Sequence, residues 1–254
     1  MKNSARYLPS ILIIEILFSS YARLFQVAAG LFSAVSVPLP ESSTEQKPTP
    51  DLSTECASAL SSLCLAQAQE IVLMKAISDQ KKESITMKLS QQAGVMYGDT
   101  CKLMEVQSVK SMLSKDWLSI CEGKHRLFTG LSQWFSSRQC NEEKQIGEEI
   151  SRLGVAVTNL QKAKSVLPPQ HQGDVGNWLQ QAETALGLAK KDNDFIYHEK
   201  VPPLDSLSPI VGTMVVKLIP LEESQERFAT GQEDLFAVMP VFDPNAMKTE
   251  CIIS

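Results

Sequence analysis

The chain has 254 residues, with 24 Lys+Arg against 29 Asp+Glu for a net charge of −5, and 43% of it is hydrophobic. That length supports one large domain or two small ones, and the balance of apolar and charged residues excludes global disorder. Mild acidity excludes the electrostatic footprint of a general nucleic-acid binder. The six cysteines (56, 64, 101, 121, 140 and 251) form no C-x-x-C pair and no Cys/His cluster at zinc spacing. They read as reduced, mostly buried thiols in a reducing compartment.

In chain order, Ile11–Phe18 is an apolar run preceded by Lys2 and Arg6. It contains Glu15 and falls far short of the ~20 apolar residues that a bilayer crossing needs. Pro9, Glu15 and a poor cleavage site also argue against a signal peptide, so the run is expected to begin a core helix reaching about Val35. Residues 38–50 hold four prolines and read as a loop. Thr49 is expected to cap the next helix, with Pro50 at its first position and Asp51 facing its dipole.

From Asp51 to about Ser78, apolar residues recur in steps of three and four: Leu52, Cys56, Ala59, Leu63, Cys64, Ala68 and Ile71. A second apolar line through Leu65, Val72, Leu73 and Ala76 predicts that this long helix is covered on two sides. After a polar break at Asp79–Glu83, the next helix runs to about Met104 and carries the stripe Ile85, Leu89, Ala93, Met96, Thr100, Met104. Further helices are predicted at about Lys110–Ser136, Asn141–Val166 and Asp174–Lys190, with Pro168-Pro169 ending the second of these. Beyond Lys190, the stretch Asp192–Ile219, with three prolines and the β-branched run Val211–Ile219, predicts an extended strap. A short helix is expected near Glu222–Phe228 and a flexible tail from Pro240.

Enzyme motifs are missing: there is no P-loop, G-x-G-x-x-G, G-x-S-x-G or H-E-x-x-H. Cys121 and His125 share a helix face at i, i+4, but no third group orients them, so a structural role is the plain reading. Trp117, Trp134 and Trp178 read as core or groove walls, because basic residues do not interleave with them. The last four residues, Cys251-Ile252-Ile253-Ser254, fit a C-a-a-X box whose terminal Ser favours farnesylation of Cys251. One lipid chain anchors weakly, at ~0.8 kcal/mol per buried CH₂, so a partner-binding surface is expected to add to it.

Four blocks of sequence carry a resemblance. Phe25-Gln-Val-Ala-Ala-Gly-Leu-Phe32, Leu65-Ala-Gln-Ala-Gln-Glu70 with Lys75-Ala76, Gly147-Glu-Glu-Ile-Ser-Arg-Leu153, and the run from Ala189 through Asn193-Asp-Phe-Ile-Tyr-His-Glu199 to Pro202 follow one another as in Bro1 domains. With its C-a-a-X ending, the chain resembles the Brox-like members of that family. The resemblance implies a mainly α fold, a Bro1-like array of long antiparallel helices with an extended C-terminal strap. It divides the chain into an unmatched apolar segment (1–20), a partial Bro1 domain shortened at its N-terminus (21–240) and a tail with the C-a-a-X box (241–254). Ile11–Phe18 is expected to cover part of the surface that the missing portion would bury.

The resemblance also implies binding and not catalysis, with no cofactor beyond the covalent farnesyl on Cys251. Bro1 domains hold the amphipathic C-terminal helix of Snf7-type ESCRT-III subunits in an apolar groove. On matched positions the groove would be walled by Val72, Ile85 and Leu89, with Lys75 facing an acidic residue of the ligand. On spacing alone, the three apolar positions are equally ordinary core. The expected protein is a monomeric cytoplasmic adaptor, reversibly bound to endosomal or nuclear-envelope membranes. The alternative is a lipid-anchored scaffold for another partner, such as a cytoskeletal linker.

Overall fold

In the computed structural model, residues 8–35, 51 and 53–220 are described, with side chains from Phe18 onward. The expected caps at Thr49 and Pro50, the helix near Glu222–Phe228, the tail and Cys251 lie outside the described residues. So do the side chains of Ile11–Leu17.

Six long helices follow one another: α1 (Leu8–Val35), α2 (Thr54–Ser78), α3 (Glu83–Met104), α5 (Lys115–Glu142), α6 (Ile146–Val166) and α7 (Gly173–Asp192). A single turn, α4 (Gln107–Lys110), bridges α3 and α5. Each long helix packs on the next, and no strand occurs among the described residues. The mainly α array is the one expected. Helix α2 starts at Thr54, because the Ser53 hydroxyl accepts the Cys56 N–H at 3.3 Å and supplies the cap. The acidic run at Asn141–Lys144 ends α5; it does not begin α6. Lys144 adopts a left-handed φ of 63°, which lets Gln145 N–H reach the Cys140 carbonyl at 2.8 Å and close the helix end.

Each apolar line of α2 contributes buried residues, Cys56, Ala59, Cys64 and Ala68 from one and Leu73 and Ala76 from the other, with Leu63, Leu65, Ile71 and Val72 half-buried; α1 and α3 both pack on this helix. Among the described residues, α2 has the length and hydropathy of a membrane-spanning helix. Yet its middle carries Gln69 and Glu70, both tied to neighbouring elements. Lys124 Nζ on α5 lies 2.6 and 2.8 Å from the Glu70 carboxylate oxygens, and Tyr97 on α3 donates its hydroxyl to the same carboxylate. Burial, then the Glu70 charge, push the Tyr97 hydroxyl well above its ordinary range. Tyr97 in turn stacks on Phe128, while Phe135 meets Trp178 edge-on. Trp134 is core, whereas Trp117 stands 42% exposed.

The signature block after α7 builds the start of the strap. Asn193 is buried and grips Glu199 with both ends of its amide, Nδ2 to the Glu199 carbonyl and Oδ1 from its N–H, each at 2.9 Å. The Glu199 carboxylate then accepts Gly147 N–H at 2.8 Å, placing an anion on the N-terminus of α6. A Cβ on Gly147 would lie 2.5 Å from the Lys200 carbonyl, so only glycine admits this approach.

From there the strap recrosses the array in reverse order. Arg152 on α6 donates to Ser208 O at 3.1 Å, and Thr213 N–H donates to Lys88 O on α3 at 3.1 Å. Gln69 on α2 donates to Thr213 O at 3.0 Å and accepts from Val215 N–H at 3.2 Å. Ile219 N–H reaches Gln26 O on α1 at 3.0 Å, passing so near Gly30 that a Cβ there would sit 1.7 Å from the Ile219 oxygen. The strap is expected to loosen in Gln69→Leu, which leaves a strap carbonyl and N–H unpaired at a cost of about 1–3 kcal/mol each. Limited proteolysis should then cut between Leu207 and Ile219, where the wild type resists; equal resistance would show that Gln69 does not hold the strap.

Candidate partner-binding site

The stripe of α3 explains what the surface offers. Leu89, Ala93, Met96, Thr100 and Met104 are all buried, as a core-facing stripe should be. Ile85, the first member, is 44% exposed although Thr86 beside it is buried, so the first turn of α3 is covered on one side and leaves Ile85 on the other. Val72 on α2 is half-buried and packs against the main core. Leu89 is 5% exposed and belongs to the same core as Leu73, Ala93 and Met96. The structure therefore separates the trio: Ile85 is a surface residue, Val72 lines the surface, and Leu89 lies beneath it.

Lys75 is already engaged, with Nζ 3.1 Å from Asp79 Oδ2 one turn along α2. A ligand carboxylate would have to share it. Exposed Lys81, Lys82 and Lys88 also flank Ile85, while the neighbouring Glu83 is paired with Arg138 at 2.6 Å. This gives a basic rim around an apolar spot on a chain that is acidic overall.

Sequence reasoning missed the strap's part in this surface. The strap crosses α2 at Gln69 and α3 between Lys88 and Gln92, one helical turn from Val72 and from Ile85. It carries exposed Val211, Met214 and Val215. The β-branched run announced an extended segment, but no local signal says which helices it crosses.

The thiol–imidazole pair does not form. His125 Nδ1 donates to the Gly94 carbonyl at 2.7 Å, while Cys121 Sγ contacts Met104 Sδ at 3.8 Å. Among the described residues no group of His, Cys, Asp and Glu is arranged to hold a metal. The arrangement around Ile85 is suited to binding a partner, with an apolar centre and a charged margin.

Comparison with known proteins agrees with this architecture. The profile of the BRO1-like domain matches residues 18–241. The apoptosis-linked gene 2-interacting protein X 1 of Caenorhabditis elegans is 36% identical over 230 residues, 90% of this chain and 25% of that protein. The human programmed cell death 6-interacting protein is 34% identical over 200 residues, 79% of this chain and 22% of the relative. The chain thus spans about a quarter of the length of these relatives. A solved complex of the ALIX BRO1 domain with CHMP4C superposes with a TM-score of 0.72 at 33% identity, covering 79% of this chain and 54% of that one. With the helix array, the strap and the signature block all in place, the chain belongs to the BRO1-like domain family.

Proposed function

We propose that this chain is an adaptor whose α2–α3 face, beside the strap, receives the amphipathic C-terminal helix of a Snf7-type ESCRT-III subunit of the CHMP4 class. The observation that carries this reading is Ile85, an uncovered apolar side chain heading a stripe that is otherwise core. A helix laid over it would bury Ile85 and the exposed edge of Val72, with the apolar residues of the strap alongside. Lysines at the rim suit acidic residues flanking the ligand's apolar face and would speed its encounter. The similarity to an ALIX BRO1 domain solved together with CHMP4C supports the choice of ligand. Leu89 shapes the floor of this site from below.

The second half of the proposal concerns the membrane. A farnesyl on Cys251 would hold the chain reversibly, since one lipid chain is a marginal anchor. Membranes carrying assembled ESCRT-III would then retain it by engaging lipid and groove at once, which multiplies two weak affinities. Endosomal membranes are the expected place for that coincidence.

Ile85→Asp is expected to weaken binding of a fluorescently labelled ESCRT-III C-terminal helix at least tenfold, about 1.4 kcal/mol, with the thermal transition unchanged. Anisotropy titration and a melting curve check both halves; undiminished affinity would reject the site. Leu89→Asp should behave differently, because it buries a carboxylate in the core and is expected to lower the melting temperature by several degrees or abolish folding. Cys251→Ser is expected to move the chain from the membrane pellet to the soluble fraction in cells, with intact mass showing loss of the lipid. An unchanged distribution would remove the lipid anchor from the account.

A further inference from the structure

The turn between α3 and α5 is held from inside and uneven in character outside. Val109 is wholly buried in the main core, and the single turn α4 that carries it packs on α2 and α3. The Val109 carbonyl accepts Met112 N–H at 3.0 Å and Leu113 N–H at 3.1 Å, which bends the chain back towards α5. Ser114 then caps α5 with its hydroxyl, accepting Asp116 N–H at 3.3 Å. With its backbone fixed in this way, the stretch from Met104 to Ser119 closes around a cavity of about 250 Å³.

Met104, Leu113 and Leu118 give this cavity an apolar wall continuous with the main core. The charged residues on its lining are Lys110 and Lys115. Both are exposed, and among the described residues neither forms an ion pair. Glu105 and Asp116 are exposed nearby in sequence but do not line it. An apolar hollow bearing two unpaired ammonium groups matches a ligand that is anionic at one end and apolar at the other. The same stretch turns large apolar side chains to solvent: Val106 is 43%, Met112 36% and Trp117 42% exposed. Water is a poor environment for such a set, whereas at a bilayer surface tryptophan settles at headgroup level and lysines meet anionic lipid.

We propose that the turn 104–119 docks on the anionic surface of a phospholipid membrane and seats one lipid in this cavity. Lys110 and Lys115 take the headgroup phosphate, the upper part of an acyl chain lies against Leu113 and Leu118, and Val106, Met112 and Trp117 enter the headgroup layer. A partner helix is a poorer match, because it needs apolar positions spread over several turns, and here they surround one hollow. The contact requires neither a farnesyl group nor the Ile85 surface. Ile85 and Met104 lie near opposite ends of α3, about 28 Å apart at ~1.5 Å per residue. A chain resting on lipid through this turn therefore keeps its partner-binding face free. A single lipid chain needs a second signal to anchor stably, and this turn supplies one.

The test uses the full chain made in bacteria, which leaves Cys251 without a prenyl group, floated with vesicles of phosphatidylcholine alone or with phosphatidylserine added. The chain is expected to float with the anionic vesicles and not with the neutral ones. Lipids brominated on the acyl chain should quench part of its tryptophan emission, and Trp117→Phe should abolish that quenching while leaving Trp134 and Trp178. Lys110→Gln combined with Lys115→Gln should lower affinity for the anionic vesicles about tenfold, with the melting curve and the affinity for an ESCRT-III helix unchanged. Glycerophosphoserine, the headgroup without acyl chains, should not compete. Absence of flotation, equal flotation with both vesicle types, undiminished binding by the double variant, quenching that survives Trp117→Phe, or competition by the bare headgroup would each overturn the proposal. None of these results bears on the helix titration of Ile85→Asp, so the two sites stand or fall separately.

Discussion

Two adjacent polar residues in the middle of an apolar helix organise this molecule. Gln69 and Glu70 sit where α2 packs against α1 and α3; Gln69 is wholly buried and cannot be left there without partners, and half-buried Glu70 is stabilised by the ones it finds. Glu70 is met at one point by Tyr97 from α3 and Lys124 from α5. Gln69 is satisfied by the strap, whose backbone supplies both the acceptor it needs and the donor. Apolar packing alone would let neighbouring helices slide by a turn at little cost. These bonds make such a slip costly, because it would strand a carboxylate, an ammonium and an amide together. The small residues just before them, Ala66 and Ala68, are wholly buried and let the neighbouring helices come close enough for those reaches.

The strap extends the same logic across the whole array. A row of helices packed mainly on their neighbours has no element that senses its full width. Residues 199–219 provide one, bonded in turn to α6, α3, α2 and α1. Its backbone groups are taken up by helix carbonyls and by side-chain amides, so an extended segment lies on a helical surface without a sheet to receive it. Asn193 and Glu199 set where it departs, and Gly30 sets where it arrives.

Periodicity made the helices legible, because burial on one or two faces leaves a spacing of three and four that survives without tertiary knowledge. It also made α2 legible as a helix covered on both sides. It misplaced the acidic run at Asn141–Lys144, since charges there suit a helix start as well as an exposed end. The deciding fact, a lysine in the left-handed conformation, carries no glycine to announce it. The strap's path was not legible, because its bonds join residues 144 and 146 positions apart. The groove shows the same limit. Ile85 and Leu89 look equivalent by spacing, yet one is on the surface and the other is core, because the first turn of α3 is covered on one side only. The motif around Gln69 and Glu70 carried the resemblance, but its physical meaning emerged only with the partners those side chains find.

The position of the strap ties stability to recognition. It passes one turn from Val72 and Ile85, so the element that holds the array together also borders the surface offered to a partner helix. A ligand resting there would contact α2, α3 and the strap at once, and its binding energy would oppose any opening that separates them. Recognition and integrity are then linked by mass action: whatever frees the strap from Gln69 weakens the site, and whatever fills the site secures the strap. The exposed apolar face of Val211, Met214 and Val215 is consistent with such a shared duty, since a purely structural tie would gain nothing by turning those side chains to solvent. In this fold the binding surface is less a cavity between helices than the edge along which a transverse tie meets them.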